Sequence, residues 1–228
     1  MKTRNIWFLL GFAVVAAGGA AGAAESQPKP GPTPALAQAT VALDPKALAP
    51  RKEGDDMVMG SDKAPVTIIE YASLTCPHCA HFDETTFPTL KSDYIDKGLV
   101  KYIYRDFPLD RMALMASEIA RCAGPARYFG FIDAIFRQQI EWTSGKNADA
   151  IVDNLKTLAR QGGLAEDKAD ACLKDKALQD AVLAQSLQGE KEFKVDSTPT
   201  LIINGEKHPG ALSIEELKAI IDPIIKKS

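Results

Sequence analysis

The stretch Val66-Thr67-Ile68-Ile69-Glu70-Tyr71 is followed by Ala72-Ser73-Leu74-Thr75 and then by Cys76-Pro77-His78-Cys79. Its β-branched run predicts a buried strand. Helical pattern follows the second cysteine to about Tyr94, with Pro88 expected to kink it. The two cysteines therefore fall where a strand turns into a helix. At that junction the unpaired N–H groups and the macrodipole of the helix favour an anion. Cys76 is thus expected to ionise near neutral pH and to be the exposed nucleophile. Pro77 suits the first helical turn, where a missing N–H costs nothing. His78 adds a donor, and a positive charge when protonated, between the sulfurs. Cys79, one turn along and more buried, is expected to be the resolving thiol. A stabilised thiolate stabilises the reduced pair, which makes its disulfide a stronger oxidant.

Two other readings of the pair stay open. A static disulfide between neighbours this close closes almost no loop and adds little stability. Half a zinc site would need His78, His81 or His208, yet the chain has no second Cys-x-x-Cys and no His-x3-His pair to complete it.

Outward from this centre, Leu99 to Tyr104 reads as a second strand, closed by Asp106-Phe107-Pro108. From Met112 to Gln188 the signal is helical, with Ile151, Val152, Leu155, Leu158 and Ala159 on one stripe. Gly124-Pro125, Thr143-Ser144-Gly145 and Gly162-Gly163 punctuate it. Thr200 to Ile203 is a third strand, and Asn204-Gly205 a hairpin turn. The last helix opens on a capping box at Ser213 and Glu216 and meets Pro223, where it bends or stops. Strand–helix segments at 55–110 and 192–228 thus bracket a helical segment at 111–191. A parallel crossover needs only about a dozen residues, so the helical segment is an insertion.

The composition is that of an ordinary globular chain: 228 residues, 25% charged, 46% hydrophobic, formal net charge -3. Intrinsic disorder and a disulfide miniprotein are excluded, and there is no basic stripe to support nucleic-acid binding. Residues 1–24 read as a signal peptide: Lys2 and Arg4, an uncharged run from Ile6 to Ala20, then small residues ending at Ala24. An uncleaved anchor is the competing reading, and either one places the body of the protein outside the cytoplasm, where disulfides persist. Residues 25–54, rich in Pro and Ala, read as an extended tether, or else as a short oligomerising element around Leu36, Val41, Leu43 and Leu48.

Two further features bear on chemistry. Cys122 and Cys172 lie 50 residues apart in the helical segment, with Cys122 on the apolar stripe of Met115 and Ile119. A structural disulfide is the favoured reading, beside two buried free thiols or a second redox couple. Thr198-Pro199 stands immediately before the third strand, where it is either an ordinary linker proline or an exposed edge that docks a substrate backbone against Cys76.

The segment from Tyr71 to Phe82, with Cys76-Pro77-His78-Cys79 at its centre and Thr198-Pro199 downstream, resembles the DsbA-type periplasmic disulfide oxidoreductases. Arg105-Asp106-Phe107-Pro108-Leu109 is similar to the alpha-proteobacterial and Gram-positive branch of that family. The likeness covers about residues 55–226 and implies a thioredoxin-like α/β fold with an inserted all-helical domain. It implies a cis Pro199 across from the sulfurs, Thr198 in contact with substrate, and Glu70 as a buried acid that shuttles protons for Cys79. For Glu70 an ordinary strand-edge charge remains the alternative. A second disulfide in the helical domain, here Cys122 and Cys172, also occurs in that branch. The activity implied is oxidation of reduced, unfolded exported proteins in the periplasm, with reoxidation by a membrane quinone-linked partner. No metal or organic cofactor is implied. An isomerase or reductase using the same pair, and a non-catalytic binding module, are the alternatives. Thr198 stands where the best-known oxidase has valine, which leaves partner choice open. A separate dimerisation domain, as in periplasmic isomerases, has no room before residue 55.

Overall fold

A computed structural model describes residues 56–228, which belong to one compact unit. The expected leader and tether lie outside the described residues. The short strand β1 (Met57–Met59) pairs antiparallel with β3 (Val100–Asp106), and β3 runs parallel to β2 (Val66–Ala72). On its other side β2 pairs antiparallel with β4 (Thr200–Ile203), and β4 with β5 (Glu206–Pro209). The resulting order is β1-β3-β2-β4-β5, so the strand leading to Cys76 is the middle one.

Both faces of β2 are buried, because side chains alternate across a strand and each face meets helices. Val66, Ile68 and Ala72 join Tyr102, Tyr104, Leu201 and Ile203 in the larger core. Ile69 and Tyr71 join Ile103, Ile202, Phe107, Phe193 and Val195 in a second cluster. That second cluster needs close approach of the long helix above it. A Cβ on Gly189 would lie 2.6 Å from the Tyr71 ring. The β4–β5 hairpin turns at Asn204 (φ 45°) and Gly205 (φ 93°), the doubly left-handed geometry that Asn-Gly favours.

The helix after Cys76 is broken into three pieces: α1 (Pro77–Thr85), α2 (Phe87–Leu90) and a π-helical turn at Lys91–Ile95. Pro88 has no N–H to give to the carbonyl one turn back, so the continuous kinked helix expected from the sequence becomes a restart. Between β3 and β4 the chain forms α3 (Arg111–Cys122), α4 (Pro125–Arg137), α5 (Gln139–Thr143), α6 (Ala148–Gln161), α7 (Glu166–Cys172) and α8 (Lys176–Phe193). The three Gly-containing punctuation sites fall at the α3–α4, α5–α6 and α6–α7 junctions. The last helix, α9 (Ile214–Ile225), opens with Ser213 Oγ accepting from the Glu216 N–H at 3.2 Å and Glu216 Oε2 accepting from the Ser213 N–H at 2.8 Å. It continues through Pro223. Pro223 and Ala219 are both exposed, so water can take the carbonyl the proline leaves without a donor. Among the described residues no helix is long and apolar enough to cross a membrane.

The helical segment is tied to itself and to the sheet. Cys122, half-buried at the end of α3, is bonded to the buried Cys172 at the end of α7, with Cα atoms 6.3 Å apart. Closing a loop of this length removes entropy from the unfolded chain. The double variant Cys122→Ala/Cys172→Ala is therefore expected to lose about 2–4 kcal/mol in denaturant unfolding, with secondary structure by circular dichroism unchanged.

Candidate functional site

The backbone carries the two sulfurs to the end of the middle strand. Ala72 closes β2, a turn follows in which the Cys76 N–H donates to the Ser73 carbonyl at 3.0 Å, and Pro77 starts α1. Cys76 is the N-cap residue, with extended φ −79° and ψ 119°, and has no side-chain cap of its own. Its carbonyl accepts from the N–H groups of Cys79 and Ala80 at 3.1 and 3.2 Å. Pro77 and His78 are exposed.

Cys76 itself is not exposed. It is 5% accessible and Cys79 0%, which corrects the expectation of an open nucleophile. The reason is the loop before β4. The Thr198–Pro199 peptide is cis, Pro199 is buried, and the Cys76 thiol donates to the Thr198 carbonyl at 3.3 Å. The little accessible surface in the pair nevertheless belongs to Cys76, the sulfur expected to react. Thr198 Oγ1 is buried and, among the described residues, without a hydrogen-bond partner, so it is available as a donor once the thiol ionises.

The electrostatics divide the two thiols. Cys76 is pulled down to about 5, chiefly by the Cys79 thiol donating to it, against burial and with help from Thr198 and the N–H groups of Cys79 and His78. Cys79 is pushed up far above a free thiol by burial first, then by its bond to Cys76 and the charge of Glu70.

Glu70 is 2% accessible and sits in the middle strand, opposite Tyr104 on one side and Leu201 on the other. That place removes the strand-edge alternative. Its Oε2 accepts a short hydrogen bond from the Tyr102 hydroxyl. Burial raises its pKa to about 8, the Tyr102 bond offsetting part of this while the charges of Asp83 and Cys76 add to it. Asp83, on α1, is a second buried acid. It is raised to about 7, by burial first and then by Asp133, and its Oδ2 has no partner among the described residues.

The sign of the Glu70 shift fixes a pH dependence. A carboxyl whose folded pKa is raised leaves the fold most stable below the unfolded value, about 4.3. That stability is lost as pH rises through the folded value of about 8. Glu70→Gln, whose amide oxygen still accepts from Tyr102, is expected to flatten this decline. Above pH ~8 it should gain on the order of a few kcal/mol over the parent. Thermal unfolding of both proteins across this pH range measures it.

Several residues at the site carry no sequence signal. Gln139 of α5 is 9% accessible, and its Nε2 donates to the carbonyls of Leu74 and Cys76 at 2.9 and 3.1 Å. Asp110 caps α3 through the Ala113 N–H at 2.8 Å and accepts from Thr75 Oγ1 at 2.6 Å. Leu109, 55% accessible, precedes Asp110, and Ile140, 81% accessible, follows Gln139. Two exposed apolar side chains thus stand on the two segments that grip the Cys76 loop. Among the described residues no three His, Cys, Asp or Glu side chains are grouped to hold a metal ion.

Residues 52–223 match a family model described as Thioredoxin. A Rickettsia bellii protein named as a candidate protein-disulfide oxidoreductase is 34% identical over 176 residues, 76% of this chain and 66% of that protein. The chain spans 62% to 69% of the length of the Rickettsia relatives it matches. Disulfide bond formation protein D of Bacillus subtilis is 28% identical over 178 residues, covering 74% of this chain and 77% of that one. The crystal structure of Wolbachia pipientis alpha-DsbA1 superposes with a TM-score of 0.72 at 31% identity, over 80% of this chain and 96% of that one. The thioredoxin-like sheet, the helical segment between β3 and β4, and these relatives agree, and the chain belongs to the DsbA-type family of the thioredoxin superfamily.

Proposed function

We propose that the chain is a thiol–disulfide oxidoreductase that introduces disulfides into exported proteins through Cys76 and Cys79. The observation that carries this reading is the placement of the two sulfurs, Cys76 at the N-cap of α1 beside the cis Thr198–Pro199 peptide and Cys79 one turn on and fully buried. This placement draws the first thiol down and pushes the second up. Holding one sulfur as thiolate favours the reduced pair, which makes the oxidised pair a good electron acceptor.

In the reaction a substrate thiolate attacks Cys76 Sγ of the disulfide form. A mixed disulfide forms, the Cys76–Cys79 bond breaks, and Cys79 leaves with the electron pair. Its burial makes a bare thiolate costly, and Glu70, protonated at neutral pH, is the group beside it that can supply a proton. A second substrate thiolate attacks the substrate sulfur of the mixed disulfide. The substrate disulfide closes and Cys76 is released as thiolate. Two electrons have then moved from substrate to the pair, and a quinone-linked membrane partner takes them on. Thr198 and Pro199 present the backbone edge beside Cys76, and Leu109 and Ile140 give apolar footing to an unfolded chain. The setting is the periplasm, reached by way of the signal peptide.

Rapid acid quench of cells followed by alkylation tests the direction of electron flow. An oxidase holds the Cys76–Cys79 pair mostly as disulfide. A mostly reduced pair would turn the assignment to isomerase or reductase.

A further inference from the structure

We infer that Gln139 is a positioning residue for Cys76, through which the helical segment sets the ionisation of the reactive sulfur. A buried carboxamide at the start of a five-residue helix is an uncommon choice for packing alone. Gln139 instead reaches out of the helical segment and gives its Nε2 to the carbonyls of Leu74 and Cys76. These lie on either side of Thr75, so one side chain grips the loop immediately before the sulfur.

The Cys76 carbonyl then has three donors: Gln139 at 3.1 Å, the Cys79 N–H at 3.1 Å and the Ala80 N–H at 3.2 Å. Anchoring it fixes the rotation of the peptide between Cys76 and Pro77. That rotation decides whether Sγ faces the N–H groups of His78 and Cys79 or swings away from them. The helix α5 is itself held firmly enough to serve as an anchor. Trp142 is 2% accessible and donates Nε1–H to the Ile135 carbonyl at 3.0 Å, and Thr143 Oγ1 donates to the Gln139 carbonyl at 2.6 Å. From the start of the helical segment, Asp110 holds Thr75. The loop is therefore gripped twice, at the start of the inserted segment and from its α5, and of the two grips only that of Gln139 acts on Cys76 itself.

This inference rests on the reading of Cys76 as the ionised nucleophile, and the test separates the two. The thiolate absorbance of Cys76 is titrated in the reduced wild-type protein and in Gln139→Met, which keeps the length and removes both donations. Each protein is also equilibrated with glutathione. In the variant the thiolate-to-thiol ratio at fixed pH is expected to fall about tenfold, the equivalent of one hydrogen bond lost to the charged form. The glutathione equilibrium is expected to shift about as far towards the oxidised pair. Gln139→Asn, one methylene short of both carbonyls, is expected to move both readouts the same way and serves if Gln139→Met does not fold. A variant that lowers the unfolding midpoint but leaves the titration and the glutathione equilibrium at wild-type values overturns the inference and makes Gln139 merely structural. A wild-type Cys76 that titrates like free cysteine overturns the underlying reading of the site instead.

Discussion

Replacing Cys76 with alanine is expected to abolish disulfide formation in a reduced, unfolded multi-cysteine protein, a loss on the order of a thousandfold or more. No other side chain at the site can take its part. Cys79 is fully buried and its thiol is held protonated by burial, by Cys76 and by Glu70. Cys79→Ala has a different signature. It leaves Cys76 free to attack a substrate disulfide but removes the thiol that would expel it again, so mixed disulfides accumulate. Non-reducing gels of the two variants, incubated with an oxidised test protein, separate the outcomes. Conjugates should form with Cys79→Ala and be absent with Cys76→Ala. Undiminished refolding activity in Cys76→Ala would mean that the pair is a static bridge or a binding feature.

Arg121→Met is expected to cost about 3–5 kcal/mol of stability, because it strands a carboxylate in the interior. Asp106, at the end of β3, is 0% accessible, and Arg121 Nε donates to its Oδ2 at 2.6 Å. Arg121 also donates to Gln185 Oε1 at 2.7 Å, and that same oxygen accepts from the Asp106 N–H at 3.1 Å. One guanidinium thus joins β3, α3 and α8, fastening the helical segment to the sheet just below the Cys76 loop. Adding Asp106→Asn to Arg121→Met removes the buried charge and should recover a large part of the loss. Denaturant unfolding of the single and double variants measures both. Equal losses in the two would show that the cost lies in packing, not in charge.

What the sequence discloses and what it hides follow one physical rule here. Elements set by local chemistry are legible. Val66–Tyr71 is β-branched enough to read as a strand, Asn204-Gly205 supplies its own turn, and Ser213 with Glu216 supplies its own cap. The redox tetrad is legible for the same reason, since the helix-start geometry that tunes Cys76 lies within four residues. Features that depend on distant partners are not. β1 is three residues long, too short for a pattern, and is held because Asp56 beside it takes both Nε–H and Nη2–H of the buried Arg105 at 2.9 Å. Gln139 and Asp83 carry no pattern of their own, and only the fold brings one to the Cys76 loop and buries the other near Glu70. The shielding of Cys76 is likewise a long-range effect, made by a loop more than a hundred residues away.

The most direct measurement is the pH titration of the Cys76 thiolate in the reduced protein, followed by its ultraviolet absorbance with Cys79→Ala as a control for assignment. Cys76 is expected to be half-ionised at a pH of about 5 in the wild type. Removing Cys79, the largest contributor, is expected to move this value upward. A wild-type midpoint near the value of free cysteine, about 8.5, would remove Cys76 as the ionised nucleophile, because the sulfur would then have neither the nucleophile's charge nor the leaving group's stability.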